Sequence, residues 1–471
     1  MTLLEPQIPH ATDILNSLYL NGVAADLSET GCGKTYVAAW VAKQMNVPIT
    51  VVCPKGVIPA WQRVLSLFKI KTNTVNMGKA EKYAGYCPNY VVNYEQLIRG
   101  TRCNHLVEYN RNKYTAGNIW NVDDGITVKI PKESLIILDE CHKCKSENSI
   151  TSSLLIKFKK AGYKVLLMSA TAATMPTEMR AFGFAVNLHN GIGYRNWLNL
   201  KVDITSSAFG LVVDMKSLKT QTGMREIHNN LFYQQSVASR LTRNDMKAMF
   251  PDNRVFAECF DMGNNTAKIQ AVYDQMDEEI ARLDEQSQNY RAHVFAEMVK
   301  ARRLAEVLKV PTMVDTIEEM YREGMSPVVF VNFDETIEAL KKRLKHYGDE
   351  VGLIVGGQSV KRRQSNIDDF QADRKRIMLV NLAAGNAGIG LHDLNGKFPR
   401  CSLISPSYSA INLVQALGRI HRAEGKTPCI QKIMFAGNTI EEMCCERVQK
   451  KLNNLDLLND GDLVGDVVIW N

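Results

Sequence analysis

The chain has 471 residues, of which 45% are hydrophobic and 23% are charged. This length provides for two or three domains with cores of their own, and this composition excludes wholesale disorder. No apolar run approaches the roughly 20 residues that a membrane-spanning helix needs, and the formal net charge of +7 agrees only mildly with a polyanionic partner. Eleven cysteines without regular spacing and a start without a signal peptide predict a soluble intracellular protein with reduced thiols, in the cytoplasm or nucleoid, or in a host cell if the chain is viral.

The first chemical motif is a loop that ends in Gly33-Lys34-Thr35. It follows the apolar run 23–25, which predicts a strand, and it leads into residues 36–42, which predict a helix. This arrangement binds phosphate, because backbone N–H groups and a helix N-terminus attract an anion. Lys34 is expected to reach the β- and γ-phosphates, and the Thr35 hydroxyl to bind Mg²⁺. The loop residues expected to bind ATP are Glu29, Thr30, Gly31, Cys32, Gly33, Lys34 and Thr35.

Two further positions bear on this loop. Ser28 stands where such a loop usually has its first glycine. Gln7 precedes the loop, next to an apolar pattern at Ile14, Leu15 and Leu18 that predicts a helix. Because a glutamine amide can hydrogen-bond two edges of adenine, we count Gln7 among the ATP-binding candidates, against the alternative of a solvated side chain.

Two more predicted strands carry polar residues at their carboxyl ends. Residues 48–54 form a β-rich run that ends before Lys55, and residues 90–94 form another that contains Asn93. Beyond them, residues 99–131 are expected to be irregular, with arginines and aromatic residues interleaved. This composition is compatible with nucleic-acid contact and equally with a solvated insertion.

The strongest support for a nucleotide site comes from an apolar strand, residues 134–138, that ends in Asp139-Glu140. In this interpretation Asp139 holds Mg²⁺, mostly through water, and Glu140 polarises the attacking water. An Asp-Glu pair after a buried strand is common on its own, but its combination with Lys34 and Thr35 favours the catalytic interpretation.

A coupling loop is expected after the next strand. That strand, residues 164–168, closes on Ser169-Ala170-Thr171. Small hydroxyl residues at this place are able to hydrogen-bond the acids when nucleotide is bound. Alone, the same three residues would indicate only a turn.

The middle of the chain, from about 185 to 312, changes in character. Residues 182–184 and 191–194 are expected to be irregular links. From 265 the apolar residues recur at three- and four-residue steps, which predicts helices, and Pro311 interrupts this pattern. The apolar stripe is short and its spacing drifts, which favours a helical connector over a coiled-coil rod.

Alternating strands and helices return from 326 onward and predict a second parallel sheet. Two motifs in this half carry chemistry, one in the glycine-containing loop 384–391 and one in the segment Gln415–Arg422. No second Gly-Lys-Thr sequence occurs here, so we expect one nucleotide site.

In this order, the motifs resemble those of superfamily-2 helicases, and most closely the Swi/Snf-type double-stranded DNA translocases with their annealing-helicase branch. The resemblance runs from Gln7 to about Glu442. After Arg422 the chain continues with Ala-Glu-Gly-Lys, where the family usually has Ile-Gly-Gln. The matching segments are 28–35 (motif I), 51–55 with Trp61 (motif Ia), 93–95, 139–142 (the DExH box), 169–171, 239–245, 358–370 and 415–422 (motif VI).

The resemblance implies an α/β fold of two RecA-like parallel-sheet lobes with a helical insertion between them, and ATP with Mg²⁺ as cofactors. It implies that ATP lies between the lobes, that Arg419 and Arg422 stabilise the leaving γ-phosphoryl group, and that Gln415 senses it. The catalytic candidates are Lys34, Asp139, Glu140, Gln415, Arg419 and Arg422. The candidate nucleic-acid contacts, which would grip phosphates without reading sequence, are Lys55, Asn93, Gly385, Asn386 and Gly388.

The predicted domains are a first lobe at 1–190, a linking and helical region at 191–312, and a second lobe at 313–471. The predicted function is a DNA-stimulated ATPase that works as a monomer, translocates on duplex DNA with little sequence specificity, and remodels or reanneals it. No membrane association is expected. The alternatives are a DExH-type RNA helicase and a catalytically silent nucleic-acid-binding scaffold, and the presence of Lys34 and Glu140 weighs against the scaffold.

Overall fold

The computed structural model describes residues 2–74, 88–99, 106–110, 125–146, 149–173, 176–207, 210–214, 217–284, 287, 289–385, 389–406, 409–439, 441–442 and 469–470. Within this part of the chain there are two compact units. The first comprises residues up to 207 together with 211–246, and the second begins at 247. No helix in the described ranges is long and apolar enough to span a bilayer.

The first unit is built on a parallel sheet. Its strands are β1 (Val23–Asp26), β2 (Ile49–Cys53), β3 (Asn73–Thr74), β4 (Tyr90–Asn93), β5 (Val107–Tyr109), β6 (Ile126–Val128), β7 (Leu135–Asp139), β8 (Lys164–Met168), β9 (Ile204–Ser207), β10 (Gly210–Val213) and β11 (Ala238–Ser239). Among these, seven pair in the order β11-β1-β8-β7-β2-β4-β3, whereas β5 pairs with β6 and β9 with β10. Every pairing in the larger sheet is parallel.

Helices cover both faces of this sheet. Successive residues of a strand point to opposite sides, so an apolar strand has two faces that must be covered. Ile136 and Leu138 of β7 belong to one buried cluster, and Leu135 and Ile137 belong to the other. The helices are α1 (Gln7–Leu20), α2 (Lys34–Met45), α3 (Ile58–Leu67), α4 (Tyr94–Arg99), α5 (Ile150–Lys160), α6 (Arg180–Ala185), α7 (Tyr194–Lys201) and α8 (Leu218–Asn229).

The second unit repeats this plan. Its strands are β12 (Asn253–Phe260), β13 (Ser326–Val331), β14 (Val351–Ile354), β15 (Ile377–Asn381), β16 (Arg400–Ile404), β17 (Cys429–Ala436) and β18 (Ile469–Trp470). Within the described residues they form one parallel sheet in the order β14-β15-β13-β16-β17-β12-β18. The helices are α9 (Thr266–Ala281), α10 (Tyr290–Leu308), α11 (Val310–Arg322), α12 (Asp334–Arg343), α13 (Val360–Gln371), α14 (Leu382–Gly385) and α15 (Ala410–Ile420). The predicted α/β class with two parallel-sheet lobes is confirmed.

The structure corrects several local predictions. Residues 182–184 are not irregular but lie in α6, where a Cβ on Gly183 would make a tight contact of 3.0 Å with the ring of His189. The interval 99–131, also expected to be irregular, contains the antiparallel pair β5–β6 in its described part. Pro311 lies in the first turn of α11, where a proline is tolerated because that N–H has no helical partner. Within 191–312, β12 joins the second sheet, which the helical pattern around it does not indicate.

Candidate nucleotide-binding and catalytic site

Three strand ends lie side by side at the carboxyl edge of the first sheet. Asp26, the last residue of β1, and Asp139, the last residue of β7, are both in register with Met168 at the end of β8 between them. Ser169 follows directly and donates its backbone N–H to the carbonyl of Asp26 at 3.1 Å. The predicted phosphate loop, acids and coupling loop therefore leave the sheet at one edge, which is where parallel α/β sheets bind ligands.

The loop between β1 and α2 has the backbone geometry of an anion cradle. Gly31 and Gly33 have φ angles of 92° and 83°, in the left-handed region that favours glycine. Gly33 also precedes the first turn of α2, and a Cβ on it would lie 2.3 Å from the side-chain nitrogen of Gln7. The backbone conformation therefore favours glycine at position 33, and a side chain there would also displace the Gln7 amide.

Lys34 is folded over this loop. Its ammonium donates to the carbonyl oxygens of Ser28 at 2.7 Å and Glu29 at 2.9 Å. Phosphate oxygens are the acceptors that this cation is expected to take in exchange. Thr35 follows in the first turn of α2 and is partly exposed, so its hydroxyl remains a candidate ligand for Mg²⁺.

Two of the predicted ATP-binding residues support the loop from within. The Gln7 amide donates to the carbonyl of Cys32 at 2.9 Å and accepts from the backbone N–H of Leu4 at 3.1 Å, so both ends of this buried side chain contact protein. The adenine contact of Gln7 stays a prediction. Burial raises the pKa of the Cys32 thiol to about 12 in spite of the nearby Lys34 ammonium, so this cysteine is a packing residue and not a thiolate.

The two acids differ in environment. Burial, and next the neighbouring Glu140 carboxylate, raise the pKa of Asp139 to about 7, although the Trp61 N–H and the Lys34 ammonium act in the opposite direction. A nearby cation stabilises the charged form of a buried carboxylate whose pKa is raised. Asp139 and the Thr35 hydroxyl are therefore suitable oxygen ligands for Mg²⁺. When bound, Mg²⁺ would supply charge stabilisation to the phosphates.

Glu140 adopts a conformation that is uncommon for a residue with a side chain. Its φ of 57° and ψ of 51° lie in the left-handed region, which costs about 1–2 kcal/mol for an L-residue. Such strain is concentrated at functional sites. The turn that it makes ends β7 and begins the short helical turn Cys141–Cys144.

The acids and the coupling loop are joined through His142. Its Nδ1 lies 3.3 Å from Oε2 of Glu140 and 3.2 Å from Oγ of Ser169. The Ser169 hydroxyl also accepts from the backbone N–H of Thr171 at 3.0 Å, and Ala170 between them is buried. The structure thus joins the predicted coupling loop to the DExH segment through the contact of Ser169 with His142.

A buried polar network explains why the loop begins with serine instead of glycine. The Ser28 hydroxyl accepts from the backbone N–H of Leu241 at 3.0 Å and lies 3.1 Å from Nε2 of His10, which also lies 3.2 Å from Asp26. On its other side, Nδ1 of His10 lies 2.8 Å from the Ser239 hydroxyl. Burial alone would raise the pKa of Asp26, but the contacts with His10 and the Lys34 charge outweigh it and hold that pKa below its usual range.

Residues 238–243, which we call the strap, run alongside the phosphate loop. Backbone N–H groups of Leu27 and Glu29 donate to strap carbonyls at 3.0 Å each. Arg240 donates to the carbonyl of Leu27 at 2.8 Å and lies 3.5 Å from the Glu29 carboxylate. Arg243 donates its backbone N–H to the same carboxylate at 2.9 Å and a guanidinium N–H to the Thr30 hydroxyl at 3.4 Å. The strap therefore stabilises the loop through backbone hydrogen bonds and through the contacts of its two arginines with Glu29.

The second unit carries the predicted arginine motif on α15 and just beyond it. Gln415 and Arg419 lie four residues apart, hence on one face of the helix, and both are buried. The backbone carbonyl of Arg419 accepts from Leu391 at 2.8 Å, which ties α15 to the loop that follows β15. Arg422 lies past the helix end and donates from Nε to the carbonyl of Gly418 at 3.1 Å.

Known proteins resemble this chain in both halves. Residues 27–174 match the family described as "Type III restriction enzyme, res subunit", and residues 309–424 match the family described as "Helicase conserved C-terminal domain". A protein of Acanthamoeba polyphaga mimivirus that carries the name of an ATP-dependent RNA helicase is 27% identical over 97% of this chain and 83% of its own length. A Caenorhabditis elegans protein named as a homologue of SWI/SNF-related matrix-associated actin-dependent regulator of chromatin subfamily A-like protein 1 is 21% identical over 96% of this chain and 62% of its own length. Both halves of the chain are thus similar to superfamily-2 helicases, and its relatives include Swi/Snf-type proteins.

Two further proteins are similar to this chain, one over a shorter stretch and one in its fold. The DNA repair and recombination protein RAD54 of Saccharomyces cerevisiae is 29% identical over 27% of this chain and 14% of its own length. The solved structure of the Sulfolobus solfataricus SWI2/SNF2 ATPase core in complex with dsDNA aligns over 98% of this chain and 96% of that chain, with 16% identity and a TM-score of 0.39. This chain spans less than two thirds of the length of the C. elegans and yeast relatives. The two matched families are helicase-type ATPase domains, which implies that this chain uses nucleotide.

The residues predicted to contact nucleic acid differ in how exposed they are. Lys55 is exposed at the start of a short helical turn after β2. Asn93 is buried at the end of β4, and its amide donates to the Glu95 carboxylate at 2.7 Å. Gly385 ends α14, whereas Asn386 and Gly388 lie outside the described residues.

Sequence reasoning missed several residues that contact this site. The sequence gives no sign of the contacts of His10, and it indicates the strap arginines only as part of the segment 239–245. Contacts of the strap with His10 and with Glu29 join residues more than two hundred positions apart in the chain. Trp61 was noted only as part of a motif, yet its indole N–H donates to Oδ2 of Asp139 at 2.7 Å. The signal that could have found it is a polar-tipped aromatic residue inside an otherwise apolar helix face.

Proposed function

We propose that this protein is a DNA-stimulated ATPase that translocates on double-stranded DNA and remodels or reanneals it. The observation that carries the proposal is the shared edge of the first sheet, where Lys34 and Asp139 act on each other electrostatically and Glu140 follows directly. These are the groups that phosphoryl transfer requires for phosphate binding, cation binding and water activation.

Each residue has a separate role in this proposal. Lys34 binds the β- and γ-phosphates, Thr35 and Asp139 hold the cation, and Glu140 orients and deprotonates the attacking water. His142 holds Glu140 in position and links it to the coupling loop. Turnover changes the contacts of the γ-phosphate, and the coupling loop carries that change into the sheet.

The second unit supplies the remaining charge. We assign Arg419 and Arg422 to the leaving γ-phosphoryl group, where a guanidinium is worth roughly 10³–10⁵ in rate. Gln415 is assigned to sensing that group. All three lie on or next to α15, so one movement of this helix would present them together.

The choice of DNA rests on relatives. The C. elegans relative is named for chromatin regulation and the yeast relative for DNA repair and recombination. Contacts from exposed positions such as Lys55 would go to the phosphate backbone, and such contacts position a protein without selecting a sequence. A second candidate, an RNA helicase, is favoured by the name of the mimivirus relative.

The rate of ATP hydrolysis with different nucleic acids separates these candidates. We expect a low basal rate, strong stimulation by duplex DNA, and weaker stimulation by single-stranded DNA or RNA. Lys34→Ala should lose nucleotide binding, and Glu140→Gln should bind ATP without turnover. Stimulation by RNA alone would replace the proposal with the RNA helicase, and equal rates with and without nucleic acid would favour the silent scaffold.

A further inference from the structure

The carboxylate assigned to Mg²⁺ is held by two aromatic hydrogen-bond donors. The indole N–H of Trp61 donates to Oδ2 of Asp139 at 2.7 Å, and the hydroxyl of Tyr94 donates to the backbone carbonyl of Asp139 at 2.9 Å. Trp61 is 1% exposed and Tyr94 is 3% exposed. The side chain and the main chain of Asp139 are thus both fixed from within the first unit.

Both donors come from segments that carry predicted nucleic-acid contacts. Trp61 lies on α3, which continues directly from the short helical turn that begins at Lys55. Tyr94 is the residue after Asn93 and opens α4. We propose that Trp61, with Tyr94, positions the Asp139 carboxylate for its cation and links it to the segments that contact nucleic acid. This inference rests on the proposed function.

Neutral donors suit this task. The Trp61 N–H orients the carboxylate and the Tyr94 O–H holds the adjacent backbone carbonyl. Neither donor is charged, so the negative charge of the carboxylate stays available to a cation, whereas a lysine or arginine partner would compete with that cation. Because Trp61 holds Oδ2, the other carboxylate oxygen of Asp139 would bind the cation or its waters. Partners of this kind typically change metal affinity by roughly 10–100-fold when they are removed.

The link to nucleic acid follows from chain connectivity. Any shift of the Lys55 turn on docking moves the start of α3, and Trp61 lies one turn into that helix. The hydrogen bond to Asp139 then changes length or direction, and the affinity for Mg²⁺ with nucleotide changes with it. Thermodynamic linkage requires that Mg²⁺ with nucleotide changes the affinity for nucleic acid by the same factor.

The test uses two substitutions and two matched controls in the full chain. Trp61→Phe removes the N–H and keeps an aromatic ring, and Tyr94→Phe removes one oxygen. The controls are Trp197→Phe on α7 and Tyr163→Phe, whose buried hydroxyl donates to the carbonyl of Ile130 away from the acids.

The first measurement is the binding of a fluorescent, non-hydrolysable ATP analogue as Mg²⁺ is titrated. We expect Trp61→Phe to raise the Mg²⁺ concentration at half-saturation roughly 10–100-fold, with a smaller shift in the same direction for Tyr94→Phe. Binding of the analogue in EDTA and both control variants should match the unmodified protein. An unchanged Mg²⁺ dependence in both test variants would overturn the inference, even if they are less stable. If Trp61→Phe does not fold, Tyr94→Phe decides the question.

The second measurement is the affinity for a short DNA duplex with and without Mg²⁺ and the analogue. The ratio of the two affinities should move toward one in Trp61→Phe and should stay unchanged in Trp197→Phe. An unchanged ratio in Trp61→Phe would overturn the proposed link to nucleic acid. If the unmodified protein binds no duplex, the proposed function fails, and the Mg²⁺ titration still decides whether Trp61 positions Asp139.

Discussion

Glu29 in the phosphate loop and Arg243 in the strap contact each other twice across 214 residues of sequence. The backbone N–H of Arg243 donates to Oε2 of Glu29 at 2.9 Å, and its Nε lies 3.3 Å from the same oxygen. The strap is the last part of the first unit before the chain enters the second at 247. The conformation of the phosphate loop therefore depends on a segment that lies more than two hundred residues further along the chain.

Replacing Arg243 by methionine should weaken nucleotide binding without unfolding the protein. The variant loses the ion pair with Glu29 and the contact with Thr30, so the loop becomes less ordered before ATP arrives. Because both partners are partly exposed, we expect a loss of about 1 kcal/mol, or roughly fivefold in the Kd of a fluorescent ATP analogue. Arg225→Met, at an exposed position of α8, is the control. Equal affinity of Arg243→Met and the unmodified protein would contradict the role of the strap.

The serine at the start of the loop should matter for stability. Ser28→Ala removes a buried hydroxyl that contacts Leu241 and His10, and we expect the unfolding free energy to fall by roughly 1–3 kcal/mol. Ser134 is an equally buried serine whose hydroxyl has no hydrogen-bond partner among the described residues, so Ser134→Ala should be neutral or stabilising. Chemical denaturation of both variants measures the difference. A Ser28→Ala protein as stable as Ser134→Ala would show that the network contributes nothing.

Glu140→Gly should separate stability from activity. Glycine adopts the left-handed conformation of this position without strain, so stability should stay level or rise by up to about 1 kcal/mol. Hydrolysis should fall by at least roughly 100-fold, because the general base is lost. Lys69→Gly, at an exposed position with φ of 60° after α3, should gain stability and keep turnover. A clear loss of stability in Glu140→Gly would contradict the strain assigned to this turn.

The second unit should lose stability in mild acid because of His392. Burial, and next the Arg422 and Arg400 charges, lower the pKa of His392 to about 4, against a smaller raising effect of Asp393. The unfolded chain binds this proton near pH 6.5, so the contribution is complete above pH 6.5 and is lost as the pH falls toward 4. The loss reaches about 3 kcal/mol at most. Urea denaturation at several pH values should show this slope.

Replacing His392 isolates the effect of its imidazole. His392→Leu should flatten the pH dependence between 6.5 and 4, whereas His346→Leu, at an exposed histidine, should leave it intact. The same slope in His392→Leu and the unmodified protein would assign the acid sensitivity to other groups.

The local elements of the site could be predicted from sequence, since each is a short pattern. Each element has a hydrophobic period and a boundary residue that are visible in the sequence. This holds for the strand, loop and helix around Lys34, for the strand that ends at Asp139, and for the helix that contains Arg419. That the phosphate loop and Asp139 meet at one edge of the first sheet follows from the rule that the strands of a parallel sheet share their carboxyl ends. In the structure Ser169 follows β8, which lies between the ends of β1 and β7.

Contacts between distant segments could not be predicted in the same way. Pairing of β11 with β1 brings the strap to the loop, yet β11 has only two residues and no period of its own. The hydrogen bond from Trp61 to Asp139 spans 78 residues and depends on how α3 packs on the sheet. Helix α6 was missed because glycine and aromatic residues at 182–184 have low helix propensity, which tertiary packing overrides.

ATP-dependent displacement of a third strand from a DNA triplex tests the motor directly, because a translocating protein must strip that strand from the duplex. We expect the unmodified protein to displace it only with ATP and Mg²⁺, and Glu140→Gln and Arg422→Ala to fail while still binding duplex. Duplex-stimulated hydrolysis without displacement would contradict translocation, and full displacement by Arg422→Ala would contradict the role of the second unit.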